Sequence, residues 1–414
     1  MIPQSRPRRV LITGVSNPLG AEVARRLAPQ VSYLFGCDVA DPVSALEDMD
    51  FVHADTRHAV IAKLIRQLRI DTVVHMAVTV ESTREDRGAH ETDVIGTMNV
   101  LTGCIGPSSR VERLVVKSSQ AIYGAGPTDP SFFSEDMVGP ERQGSSITRD
   151  LHEMEQLVAE FALRNPHCDV TVLRLGYRVT EDTTLAKYLS LPIVPTFAGF
   201  DPRLQLLHEE DAAEGIVRSV IGAHPGVFNL AGSGVVLLSQ AIAIMGGRPA
   251  PVLFPYGRWM ARLGLRTVTG VNLPGHLADV LAFGSVADCT RLAAEFGWSP
   301  AYPTRAVMDS FARGKEAEVI EAPSPPQEYE LQVFLQRRRR QELKSQSAAE
   351  VGTKGRPRDL EIQGSLPVEG VARLGAHRQM RDDGGTGPLT HGSGRMGSKD
   401  PVGISGLTSR ATRH

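Results

Sequence analysis

The chain is poor in cysteine and carries no surplus of charge of either sign. Its 414 residues include four cysteines, Cys37, Cys104, Cys168 and Cys289, and no two of them are near neighbours. A C-x-x-C metal pair is therefore excluded, no metal site is expected, and free thiols in a reducing cytoplasm are the simplest reading. Lys and Arg number 45 against 47 Asp and Glu, a net charge of -2. That balance supplies no long-range field to draw in nucleic acid or an anionic membrane. Uninterrupted apolar runs of about 18 residues are also missing, so no transmembrane segment is expected. The opening Met1–Arg9 stretch is basic but has no apolar run, and does not read as a signal peptide.

Hydrophobic residues nevertheless make up 41% of the chain, enough for a sizeable core. They are unevenly spread. Beyond residue 320 come Pro323-Ser324-Pro325-Pro326, an arginine run from Arg337 to Arg340, and then Gly, Ser and charged residues without apolar periodicity. Residues 321–414 are expected to be a mostly disordered tail, because they cannot bury enough surface to offset chain entropy. One short helix is expected within it at 328–345, where Leu331, Phe334 and Leu335 share a face.

Before residue 175, strands alternate with helices. Short apolar strands are expected at Val10–Thr13, Val31–Cys37, Phe51–His53, Thr72–Met76, Leu114–Val116 and Val170–Leu173. Helical spacing marks Leu19, Val23 and Leu27, then Val94, Met98, Leu101 and Ile105, then Leu151, Met154, Val158 and Phe161. Strands that are apolar throughout, separated by helices, imply a parallel sheet covered on both faces. The expected fold is α/β: a doubly wound Rossmann sheet over 9–175, with a smaller substrate lobe over 176–320 that mixes with it in space. Within that lobe Phe254–Leu263 combines aromatic and basic residues, as interfacial membrane helices do, although an ordinary buried helix is the simpler reading.

The turn Thr13-Gly14-Val15-Ser16-Asn17-Pro18-Leu19-Gly20 joins the first strand to the first helix. Gly14 permits the tight turn, Gly20 permits close packing, and the amides at the helix start would face a diphosphate. Asn17 stands where a third glycine is usual, and asparagine tolerates left-handed geometry. Asp38 closes the second strand 18 residues after Gly20. A carboxylate there can hold ribose hydroxyls and repels a 2′-phosphate, which favours NAD over NADP. Asp55 either meets the adenine or caps a helix before His58.

These residues resemble those of the extended short-chain dehydrogenase/reductase superfamily, and within it the NAD-dependent epimerase/dehydratase family of the UDP-galactose 4-epimerase kind, actinobacterial type. The likeness runs from about 9 to 312. It includes Asp55-Thr56-Arg57, Val74-His75-Met76-Ala77, Gly96-Thr97-Met98-Asn99, Ser118-Ser119-Gln120-Ala121-Ile122-Tyr123-Gly124, His208-Glu209-Glu210-Asp211 and Gly297-Trp298-Ser299-Pro300. The resemblance implies NAD bound by Thr13, Gly14, Asn17, Leu19, Gly20, Asp38, Asp55, Thr56, Met76, Ala77 and Ser118. It implies a small-molecule substrate, such as a nucleotide sugar, near Tyr177, Arg203, Gln205 and His208. A homodimer and transient hydride transfer are further implications.

One implied feature is missing. The superfamily's Tyr-x-x-x-Lys pair, in which tyrosine moves the substrate proton and lysine lowers the tyrosine pKa, falls at Ile147 and Leu151. No Tyr-x-x-x-Lys occurs anywhere in the chain. Asp93 replaces an expected Asn, Tyr177 another, and Gln120-Ala121 replaces the acidic pair of dehydratases. Ser119 remains as a catalytic candidate, with Lys117 and Tyr177 as substitutes by residue type. Two readings stay open: an epimerase or oxidoreductase with an altered acid/base, or a catalytically silent dinucleotide-binding sensor, scaffold or partner.

Overall fold

The computed structural model describes residues 9–42, 48–79, 87–130, 132–138, 145–252 and 271–314. The expected helix at 328–345, the Arg337–Arg340 run, the Phe254–Leu263 segment and the tail lie outside the described residues.

Seven parallel strands form the central sheet in the order β3-β2-β1-β4-β5-β6-β9. They are β1 (Arg9–Thr13), β2 (Tyr33–Asp38), β3 (Asp50–His53), β4 (Thr72–His75), β5 (Arg113–Ser119), β6 (Asp169–Leu175) and β9 (Gly226–Leu230); the short β7 (Ile193–Phe197) and β8 (Arg203–Leu204) belong to separate two-stranded pairs. The inner strands are buried on both faces, which explains why they read as unbroken apolar runs. Strand order reverses between β1 and β4, and a crevice opens beyond the carboxyl ends of strands at such a point. The seventh strand comes from the second half of the chain. Its apolar run is short and follows a Pro-Gly pair, so periodicity gave no sign of it.

Helices α1 (Pro18–Leu27) and α7 (Glu209–Ile221) pack on one face, where Val23, Leu27, Ile216 and Val220 meet Val10, Ile12 and Val115. Helices α2 (Val60–Gln67), α4 (Gly96–Cys104) and α5 (Ser146–Arg164) cover the other with Ile61, Ile65, Val100, Leu151 and Met154. A third cluster joins α6 (Thr184–Leu189), α8 (Leu238–Ile244), α9 (Gly275–Phe283) and α11 (Thr304–Arg313), with α10 (Thr290–Phe296) beside them in sequence.

The expected stripe on α4 needs correction. Met98 and Ile105 are exposed at 49% and 41%, whereas Val94, Thr97, Val100 and Cys104 are buried. A short helix α3 (Arg87–His90) runs into α4 through one π-turn, Glu91–Ile95. That extra residue rotates the face presented to the sheet.

Candidate dinucleotide and substrate site

The β1–α1 turn is built by its own backbone and by Asn17. Gly14 has φ +73°, and a Cβ there would lie 2.6 Å from the Ala77 amide nitrogen. A Cβ on Gly20 would lie 2.6 Å from the Gly14 carbonyl. Only glycine fits either place. Asn17 is not left-handed: its φ is -84°, and its side chain caps α1 by accepting from the Gly20 amide at 2.8 Å. The Asn17 side-chain nitrogen donates to the Gly14 carbonyl at 2.7 Å. Asparagine is suited here as a helix cap.

Two hollows flank this turn. One of about 190 Å³ is lined by Gly14, Asp38, Asp55, Thr56 and Ala77, among others. Asp38 accepts the Ser16 amide at 2.9 Å and the Val39 amide at 2.7 Å, so its carboxylate is fixed at the rim. Asp55 is held by Arg57 at 2.6 Å, and the side-chain bond with that guanidinium lowers its pKa. It caps no helix side chain-first: α2 begins after Ala59, which makes no side-chain cap. The second hollow, about 390 Å³, lies beyond Asn17 and Leu19, with Lys117, Ser118, Ser119 and Tyr177 in its wall. Thr13 and Met76 sit behind the hollows, wholly buried, and the Thr13 hydroxyl meets His75 Nδ1 at 2.8 Å.

Beneath the larger hollow lies a buried polar layer. His75 is fully enclosed between Thr13 and Thr97, and burial lowers its pKa to about 3, so the ring is neutral. Asp93, carried by the π-turn, is fully buried and accepts the Thr79 amide at 2.7 Å. Burial raises its pKa to about 7, against the pull of the Thr79 amide and the Lys117 charge. Ser118 donates to Glu155 at 2.5 Å, and Glu155 pairs with Arg174 at 2.7 Å. Arg174 also reaches the Tyr123 hydroxyl at 2.8 Å, which donates to Asn229 at 2.7 Å. Tyr123 is thus a structural link from β5 to β9.

Residues 10–231 match the family described as "NAD dependent epimerase/dehydratase family". An uncharacterized protein of Mycobacterium tuberculosis, Rv0501, is 35% identical over 319 residues, covering 75% of this chain and 84% of the relative. The chain belongs to the NAD-dependent epimerase/dehydratase family. Its fold is similar to that of the Thermotoga maritima UDP-glucose 4-epimerase solved with UDP-glucose, with TM-score 0.57 and 17% identity over 74% of this chain and 97% of that one. It is equally similar to the Streptomyces venezuelae dTDP-glucose 4,6-dehydratase DesIV, solved with NAD and TYD, with TM-score 0.57 and 18% identity over 74% and 96%.

In this member of the epimerase/dehydratase family, Ile147 and Leu151, where the resemblance places the Tyr-x-x-x-Lys pair, are part of the core. Ile147 is 4% exposed and Leu151 is fully buried, both within the cluster under α5. Ser119 remains at the larger hollow, 4% exposed, its oxygen accepting the Ala121 amide at 3.1 Å. Lys117 and Ser119 lie two residues apart on β5, hence on one face of the strand.

The four expected substrate contacts divide. Tyr177 lines the larger hollow. Gln205 does not: it is 6% exposed, and its amide is committed to the Gly232 and Ala287 carbonyls and the Ala287 amide. His208 caps α7 by accepting the Glu210 amide and stacks on Tyr302 at 4.0 Å. Arg203 is exposed on the two-residue strand β8 (Arg203–Leu204), outside the hollow's wall. Two further wall residues, Arg178 and His276, escaped the sequence reading; Arg178 is paired with Glu209 at 2.7 Å. Arg178 comes from the irregular stretch after β6 and His276 from the first turn of α9, and no motif surrounds either. Among the described residues, no cluster of three or more His, Cys, Asp or Glu could hold a metal, and no helix is long and apolar enough to cross a membrane.

Proposed function

We propose that the chain binds NAD across the two hollows and presents its nicotinamide end to a hydroxyl-bearing substrate, a nucleotide sugar in the family's manner. The observation that carries this is the pair of hollows on either side of the Gly14–Gly20 turn, one walled by Asp38 and the other by Ser119. Bound NAD supplies a reversible hydride acceptor. Asp38 would take the adenosine ribose hydroxyls and disfavour a 2′-phosphate. The α1 amides would face the diphosphate. Ser119 would hold the substrate hydroxyl, with Lys117 as the cation on the same face.

The test is to denature the purified protein, identify any released nucleotide, and titrate the empty protein with NAD and NADP by calorimetry. Absence of heat with both would overturn the reading; tighter binding of NADP would overturn the role given to Asp38. Sedimentation would settle whether the chain forms the homodimer its resemblance implies.

A second reading has its own support. With Ile147 and Leu151 in the core, no tyrosine or lysine reaches the site from α5, which fits a silent NAD-binding sensor or scaffold. Assays of UDP-, dTDP- and GDP-sugars, followed at the reduced-nicotinamide absorbance, separate the two. Turnover that disappears in Ser119→Ala supports the enzyme.

A further inference from the structure

At the substrate-lobe end of the larger hollow, two residues each carry a buried polar atom without a hydrogen-bond partner among the described residues. Tyr177 stands just beyond β6, fixed by its carbonyl accepting the Leu207 amide at 2.8 Å. His276 lies in the first turn of α9 and is 5% exposed. Both line the hollow. The Tyr177 hydroxyl and His276 Nδ1 are shut off from solvent without a hydrogen-bond partner among the described residues. An unsatisfied buried polar atom costs about 1–3 kcal/mol, so native structures seldom keep one without a use.

The chemistry of the two groups narrows what they can receive. Burial raises the Tyr177 pKa, helped by the Asp279 charge, and lowers that of His276 to about 4. At neutral pH both are uncharged. Their neighbours in the wall include the apolar Leu185, Pro274 and Leu277. Of the two cations in the wall, Arg178 already has Glu209, and Lys117 stands on β5 two residues before Ser119. A phosphate or carboxylate would lose its water here and gain no counter-charge from Tyr177 or His276. A neutral hydroxyl or carbonyl would gain two hydrogen bonds.

We propose that Tyr177 and His276 form a recognition pair for an uncharged, hydroxyl-bearing group, and that this end of the hollow rejects a carboxylate in the same position. The proposal rests on the substrate reading above and names the selectivity of that site.

The experiment uses the full chain saturated with NAD. Calorimetry compares UDP-glucose, UDP-glucuronic acid and UDP, then dTDP-glucose with dTDP and GDP-mannose with GDP. The expected result is at least one neutral sugar nucleotide binding about tenfold or more tighter than its own nucleoside diphosphate, with UDP-glucuronic acid gaining nothing over UDP. Tyr177→Phe, which keeps the ring, and His276→Phe should each cut that ratio about tenfold, the loss of roughly one hydrogen bond. The proposal is overturned if no sugar outbinds its nucleotide, if the glucuronate binds as well as the glucose, or if both variants keep the wild-type ratio. NAD titrated alone reports separately on the cofactor reading.

Discussion

Glu155 of α5 and Arg174 of β6 form an ion pair at 2.7 Å with only 9% and 4% of their side chains exposed. Glu155 also receives the Ser118 hydroxyl, and Arg174 extends to Tyr123 and the Glu135 carbonyl. The pair therefore braces the strand that carries Ser119. Removing one partner leaves the other charged and buried, which costs about 3–5 kcal/mol. Glu155→Ala is expected to lower the free energy of unfolding by that amount in urea melts. Glu155→Gln, which keeps hydrogen-bonding atoms, should lose less. Replacing both residues with apolar ones, Glu155→Leu with Arg174→Met, should recover much of the loss.

Gly14 and Gly20 give a prediction that separates folding from binding. Gly14→Ala forces a side chain into a φ of +73° and against the Ala77 backbone. Because the obstructing atom is backbone, it cannot swing aside. The turn itself must move, and with it the amides expected to face the diphosphate. NAD affinity is expected to fall more than tenfold by calorimetry, with a stability loss of at least about 1 kcal/mol. Asp38→Ala should weaken NAD without that stability loss, since its carboxylate lies at the rim.

Asp93 and His75 pull stability in opposite directions with pH. His75 has a folded-state pKa of about 3 against an ordinary 6.5. Its contribution is present above pH 6.5 and is lost as the pH falls towards 3, because the unfolded chain takes up the proton first. His276, at about 4, acts in the same sense. Asp93 has a folded pKa of about 7 against 3.8. Its contribution is present below pH 3.8 and is lost as the pH rises through 7. Asp93→Asn keeps an acceptor for the Thr79 amide and removes the charge. It should therefore stabilise the protein above pH 7 by a few kcal/mol, have little effect near pH 4, and steepen the loss of stability in acid. Urea midpoints of both proteins across pH 4–8 check this; a constant difference between them would refute the role given to Asp93.

The sheet was legible because its inner strands are buried on both faces, so β1, β4 and β6 stand out as unbroken apolar runs. Gly14 and Gly20 were legible for a related reason: a Cβ fits neither place. What escaped was set by long-range packing. Gln205 and His208 occur in a motif-like stretch, yet one is consumed by the backbone of Gly232 and Ala287 and the other caps α7. His276 has no local signal at all, since only the meeting of α9 with the end of β6 gives it meaning. The face of α4 was misjudged because a single π-turn shifts the register, and 3.6-residue periodicity carries no mark of one.

Leu151 allows a final test of whether the altered helix face still borders the site. It is fully buried among Ile147, Met154 and the rest of the core under α5. A lysine placed there would have to leave water, at an effective cost of several kcal/mol. A tyrosine at Ile147 would add overpacking of about 1–3 kcal/mol. Restoring the absent pair with Ile147→Tyr and Leu151→Lys is therefore expected to destabilise the fold by about 4 kcal/mol or more, and to confer no turnover of nucleotide sugars. Were α5 merely a competent helix lacking two residues, the lysine would reach the hollow with its ammonium solvated, and the cost would be under about 1 kcal/mol. Urea unfolding of the double variant decides between these outcomes, and a small loss would mean that this face of α5 remains open to the chemistry.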